Sequence, residues 1–142
     1  MNILDEIKTK GVLLSDGALG TMLQSKGLKP GECPELWNIT HRSEVKEIAE
    51  SYLRAGSDII STNSFGGSRI KLSQYGLGER CAEINQTAAA IYREAAGNNR
   101  HVAGSIGPTG KILLMGDVTE DEYVAARFDR STKINCTVYL RC

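Results

Sequence analysis

Three short apolar segments, near residues 12–16, 58–62 and 101–106, recur along this chain at nearly equal intervals. Each leads into a polar stretch rich in glycine: DGALGTMLQ, TNSFGG and GSIGPTG. Apolar runs this short, bounded by glycine, read as strands. Helical patterns fill the gaps. In HRSEVKEIAESYLRAG, the residues Val45, Ile48, Ala49, Tyr52 and Leu53 recur at helical spacing, and Gly56 supplies the stop. Between Glu79 and Gly97, the residues Cys81, Ile84, Ala88, Ile91 and Ala95 step by threes and fours. Strand and helix in alternation predict an α/β fold of parallel strands with crossover helices. Ile59 and Ile60 are adjacent, as expected of strands covered on both faces. Two architectures meet this pattern: part of an eight-stranded α/β barrel, or a small doubly wound open sheet. Both gather ligands at the carboxyl ends of the strands, where the three polar stretches lie.

The two ends of the chain behave differently. MNILDEIKTK predicts a short helix. Near the other end, Thr119 and Glu122 form a capping box, and Tyr123 to Ala126 open a fourth helix. RFDRSTK then carries no apolar face, so this helix is expected to end after one turn. The closing INCTVYLRC alternates Ile134, Cys136, Val138 and Leu140, a strand pattern. The expected division is therefore residues 1–126 as one unit and 127–142 as an atypical tail.

At 142 residues the chain is long enough for one domain with a buried core. Seventeen basic and seventeen acidic residues balance, so its charge favours neither nucleic acid nor an anionic membrane as partner. No apolar run nears the ~20 residues that span a bilayer, and the N-terminus lacks a signal-peptide core. A reducing, cytoplasmic setting is the expectation. None of the four cysteines forms a C-x-x-C pair. Cys33 and Cys81 are expected to pack as small apolar groups.

Asp16, at the end of the first strand, can hold an ammonium group or fix a loop. The backbone N–H groups after Gly17 can accept a carboxylate. Asn63, just past the second strand, offers donors and acceptors to a polar ligand, or serves the loop itself. GSIGPTGK fails as a phosphate loop, since Ser105 stands where glycine is required and Ile112 follows Lys111. DGALG fails the dinucleotide pattern as well. His41 and His101 are isolated and are expected at a helix start and a strand start. Trp37, in GECPELWN, can wall a pocket or anchor the core.

Taken in order, VLLSDGALGTMLQ, GECPELWN, EIAESYLRAGSDIISTNSFGGSRIKLSQYGL and VAGSIGPTGK resemble the homocysteine S-methyltransferases. The resemblance is closest to the N-terminal homocysteine-binding module of the cobalamin-dependent methionine synthases, and runs from about Val12 to Tyr123. It implies the first three to four βα units of a (β/α)8 TIM-type barrel that binds homocysteine at the strand carboxyl ends. It also implies a zinc ion that holds the substrate sulfur as thiolate, the nucleophile that takes the methyl group. In the methionine-synthase type the donor is methylcobalamin, recharged through folate, so cobalamin- and folate-binding modules are the implied partners. Position by position, Asp16, Gly17 and Ala18 match the family's loop that grips the amino acid. Asn63 falls in its TNSFG segment and Ser105 at its third strand end.

The sequence departs from that pattern downstream. Such a barrel takes about 250 residues, and the family's zinc cysteines and its fourth-strand glutamate have no counterpart here. Asn135–Cys136 only mimics the family's N-C strand end. AARFDRSTK is compatible with a one-base slip from GAFRPQYE, so the expectation is a truncated or frameshifted product without transferase activity of its own. A non-enzymatic truncated product that self-associates or is inactive is the alternative.

Overall fold

The computed structural model describes residues 3–127 and 137–140. Helix α1 (Ile3–Lys10) opens the chain, followed by α2 (Leu19–Ser25), α3 (Trp37–Thr40) and α4 (Arg42–Arg54). Strand β1 (Ile59–Ser61) precedes α5 (Arg69–Ser73) and α6 (Cys81–Ala96). Then come β2 (His101–Ile106), α7 (Glu120–Arg127) and β3 (Thr137–Leu140). The sheet runs β1-β2-β3, parallel throughout, with Ile60 opposite Val102 and Ala103 opposite Thr137. Strands adjacent in sequence are thus adjacent in the sheet, the succession found in a barrel.

The first apolar run is not a full strand. It reaches the sheet through one parallel bridge, Ser15 to Ile59. Leu14 O accepts from Ile59 N–H at 3.0 Å, and Asp16 N–H donates to Ile59 O at 2.9 Å. Val12 and Leu14 are 71% and 58% exposed, contrary to the expectation of coverage on both faces. Val12 and Leu14 are two residues apart and so share one face of this run, which no described element covers. Ile60, Val102 and Ala103 do meet that expectation and are buried, whereas Ile59 is half-buried.

The helix faces follow their periodicity. Val45, Ile48 and Ala49 of α4 meet Ile91, Tyr92 and Ala96 of α6 in one core, together with Leu23, Trp37, Ile60 and Val102. Ala95 lies at the edge of that core rather than within it. Burying side chains of this size stabilises by about 1.5–3 kcal/mol each. A second cluster gathers Cys33, Leu72, Cys81 and Ile84. Both cysteines are buried and form no disulfide among the described residues, as expected of packing residues.

At the amino ends of the strands, α1 is tied down by charge. Lys10 Nζ reaches Glu6 at 2.7 Å and Asp58 at 2.8 Å, and Glu6 also pairs with His101 Nε2 at 2.6 Å. His101 does start β2, and His41 is the N-cap residue of α4.

The capping box forms as read. Glu122 N–H donates to Thr119 Oγ1 at 3.2 Å, and Thr119 N–H donates to Glu122 Oε2 at 2.8 Å. The helix it opens is longer than expected. It runs eight residues to Arg127, about two turns, with three acids at its positive N-terminal end. Beyond it, β3 adds to the free edge of β2 in parallel. Ile134 and Asn135–Cys136 lie outside the described residues.

Candidate functional site

A cleft of about 540 Å³ opens at the carboxyl ends of the strands. The structure brings all five residues singled out from the sequence, Asp16, Gly17, Ala18, Asn63 and Ser105, onto its lining. They come from three segments far apart in the chain, and the parallel register is what joins them.

Asp16 is held from across the sheet rather than within its own turn. Its Oδ2 accepts from Ser61 N–H at 2.7 Å, and its Oδ1 accepts from the hydroxyls of Ser61 at 3.0 Å and Ser15 at 3.2 Å. These donors fix the carboxylate in one orientation at the head of α2. Ala18 is the N-cap residue of that helix and supplies no side-chain acceptor, so the N–H groups of its first turn receive no side-chain cap. Tyr52 donates its hydroxyl to Ala18 O at 3.2 Å, and its ring stands beside Gly17.

Asn63 is buried and already committed. Its Nδ2 donates to Pro34 O at 2.7 Å, while its own carbonyl accepts from Asn38 Nδ2 at 2.8 Å. The segment Pro34 to Asn38 therefore clamps the loop that follows β1. Ser105 is placed through its backbone: its N–H donates to Thr62 Oγ1 at 3.0 Å, and its carbonyl accepts from Ser64 Oγ at 2.8 Å. Gly107 N–H donates to Phe65 O at 3.0 Å, joining the loops after β1 and β2.

Glu35 was not singled out from the sequence, although PELWN was on view. It stands on a single 3-10 turn begun by Pro34, is only 5% exposed, and lines the cleft. Its Oε1 accepts from Gly66 N–H at 2.6 Å, and its Oε2 meets the Cys33 thiol at 3.5 Å. No periodic pattern marks such a turn; the signal was an acid directly after a proline between two helices. Asp16 and Glu35 are the charged groups of the lining, with no lysine, arginine or histidine among the lining residues.

Trp37 resolves as an anchor. It is buried in the core, stacks on His41 with ring centroids 4.1 Å apart, and does not line the cleft. In the core, the Tyr92 hydroxyl is buried without a hydrogen-bond partner among the described residues. Burial pushes its pKa well up, and the negative charge of Asp16 adds to the shift.

The described side chains do not suit zinc. No three His, Cys, Asp or Glu side chains among the described residues converge as a ligand set. Cys33 and Cys81 pack in the second core cluster. Burial raises the pKa of the Cys33 thiol, against the thiolate that zinc requires. The Cys81 thiol donates to Gly67 O at 3.1 Å. Cys136 lies outside the described residues.

A family model for homocysteine S-methyltransferase matches residues 13–135. A methionine synthase of Mycobacterium tuberculosis is 31% identical over 137 residues, covering 85% of this chain and 12% of that protein. A methionine synthase of Mycobacterium leprae is 30% identical over 123 residues, covering 78% of this chain and 10% of that protein. The chain thus spans about a tenth of the length of these relatives. Among solved structures, the homocysteine methyltransferase MmuM from Escherichia coli in its metallated form superposes with a TM-score of 0.71 at 22% identity. That match covers 99% of this chain and 57% of the other. The oxidised form of MmuM gives 0.69 at 24% identity, over 100% and 56%. The fold is accordingly that of the front units of a (β/α)8 barrel, and the chain belongs to the homocysteine S-methyltransferase family.

Proposed function

We propose that the cleft holds homocysteine by its amino-acid end, for transfer of a methyl group to its sulfur to give methionine. The observation that supports this is the composition of the lining: two fixed carboxylates, no base, and the uncapped first turn of α2 in one pocket. An α-amino acid complements that set. Its ammonium group meets Asp16, and its carboxylate meets the backbone N–H groups from Gly17 onward. Ser105 presents a hydroxyl that engages no other described side chain, and Asn63 shapes the wall through Pro34.

The sulfur is a separate matter. A thiolate, not a thiol, attacks a methyl donor, and a cysteine-like thiol with a pKa near ~8.5 is mostly protonated at neutral pH. Two carboxylates nearby oppose its ionisation further. The described residues therefore serve binding rather than activation, and this chain alone is expected to turn over negligibly. Zinc, the group the family uses for activation, finds no suitable donor set among them, so no step here runs through it. In a methionine-synthase type the methyl comes from methylcobalamin on a separate module, with folate behind it. Cys33 and Cys81, which form no disulfide among the described residues, suit a reducing, cytoplasmic setting. None of the described helices is long and apolar enough to cross a membrane.

Titration calorimetry with L-homocysteine under reducing conditions tests the reading. One saturable site is expected, weakened about tenfold, or about 1.4 kcal/mol, by Asp16→Asn. No saturable heat with the wild-type chain would overturn it.

A further inference from the structure

We propose that Glu35 determines specificity in this cleft, by requiring a cationic group on the molecule bound there. The inference rests on the homocysteine reading and adds the residue that selects for the amino group. Glu35 is nearly inaccessible yet lines the cleft. A carboxylate so placed is costly unless its charge is met. What meets it among the described residues is modest: one backbone N–H, from Gly66, and one weak thiol donor, from Cys33.

A carboxylate has about four lone-pair sites, so acceptor capacity remains for a ligand in the cleft that Glu35 lines. The approach to Gly66 is itself built in. A Cβ at that position would lie 2.8 Å from Glu35 Oε1, so glycine is what admits the carboxylate. Asp16 adds a second negative charge to the same lining, and no base there offsets either. In a sheltered site such charges act more strongly than in water. A ligand bringing only a thiol and a carboxylate would add a third anion. One bringing an ammonium group offsets the pair.

Glu35 therefore has two separable roles. Its hydrogen bond positions the loop at Gly66, and its charge selects the ligand. Glutamine keeps the first and loses the second.

The full chain is titrated with L-homocysteine and with 4-sulfanylbutanoic acid, which has the same thiol and carboxylate but no amine. The wild type is expected to prefer homocysteine, and Glu35→Gln to reduce that preference about tenfold while melting like the wild type. Glu35→Asp is expected to keep the preference and Glu35→Ala to lose it, so the test stands even if the glutamine variant folds poorly. A wild-type preference that Glu35→Gln leaves intact, or equal preferences in the Asp and Ala variants, would overturn the role of Glu35 alone. Binding of neither compound by the wild type would overturn the homocysteine reading and this inference with it.

Discussion

Ser61 donates both its backbone N–H and its hydroxyl to the carboxylate of Asp16, at 2.7 and 3.0 Å. The end of β1 and the head of α2 are thereby fixed to each other, and the same carboxylate faces the cleft. One side chain thus ties two elements together and lines the cleft.

Asp16→Ala is accordingly expected to cost stability as well as binding. It strips the acceptor from a half-buried backbone N–H, a loss of about 1–3 kcal/mol. Thermal melting of the variant checks this, and a midpoint equal to the wild type's would show that the Ser61 contacts are incidental.

Gly107 allows the loops after β1 and β2 to touch. A Cβ there would collide with the Phe65 carbonyl and sit 2.9 Å from its ring. Because the obstacle includes backbone, Gly107→Ala is expected to destabilise by about 1–3 kcal/mol. It should also weaken homocysteine binding, since the loop after β1, which lines the cleft, would have to shift. Denaturant unfolding and calorimetry on one sample would separate the two effects.

The clasp on α1 makes stability fall in acid. Lys10, and after it His101, hold the Glu6 carboxyl below its ordinary value of 4.5. Lys10, followed by the Leu14 N–H, holds Asp58 below 3.8. A depressed folded pKa contributes stability that is fully present above the unfolded value and is lost as pH falls through the folded one. Melting temperature should therefore decline once the pH drops below about 4.5, and Lys10→Ala should flatten that decline. Lys10 itself is raised above 10.5 by Asp58 and then Glu6, so its contribution disappears only at strongly alkaline pH. Melting curves across the acid range decide the matter.

Tyr92 buries a hydroxyl without a partner among the described residues. Tyr92→Phe removes a desolvated group that gains nothing, and is expected to leave stability unchanged or raise it by about 1 kcal/mol. A clear loss of stability would reveal a hydrogen bond to that oxygen.

Ile60 is fully buried between the helices and the sheet, so Ile60→Ala should cost about 2–5 kcal/mol. Leu114, almost wholly exposed, provides the control: Leu114→Ser should stay within about 0.5 kcal/mol. Chemical denaturation of both variants gives the comparison.

Helices α4 and α6 were legible in the sequence because their faces are written in local periodicity and their ends in glycine. The capping box was legible for the same reason, being complete within four residues. The length of α7 was misjudged, because RFDRSTK lacks an apolar face and yet its first residue still joins the helix. The first strand was misjudged too. Val12 and Leu14 have the composition of covered residues, but coverage depends on a neighbour that composition does not specify. Among the residues that line the cleft, Asp16 and Ser105 were legible from their place at strand ends. Glu35 was not, because its contact is with Gly66, in a different loop.

The sequence by itself determined the alternation of strand and helix, the family, and the three polar strand ends, since each of these is carried by residues close together in the chain. Only the tertiary structure decided what those ends do to one another. It put Asn63 on Pro34, Glu35 on Gly66 and Tyr92 within electrostatic reach of Asp16, and it left Val12 and Leu14 exposed. Hydrogen bonding and burial depend on distances between segments, and those distances exist only once the parallel register has brought the segments together.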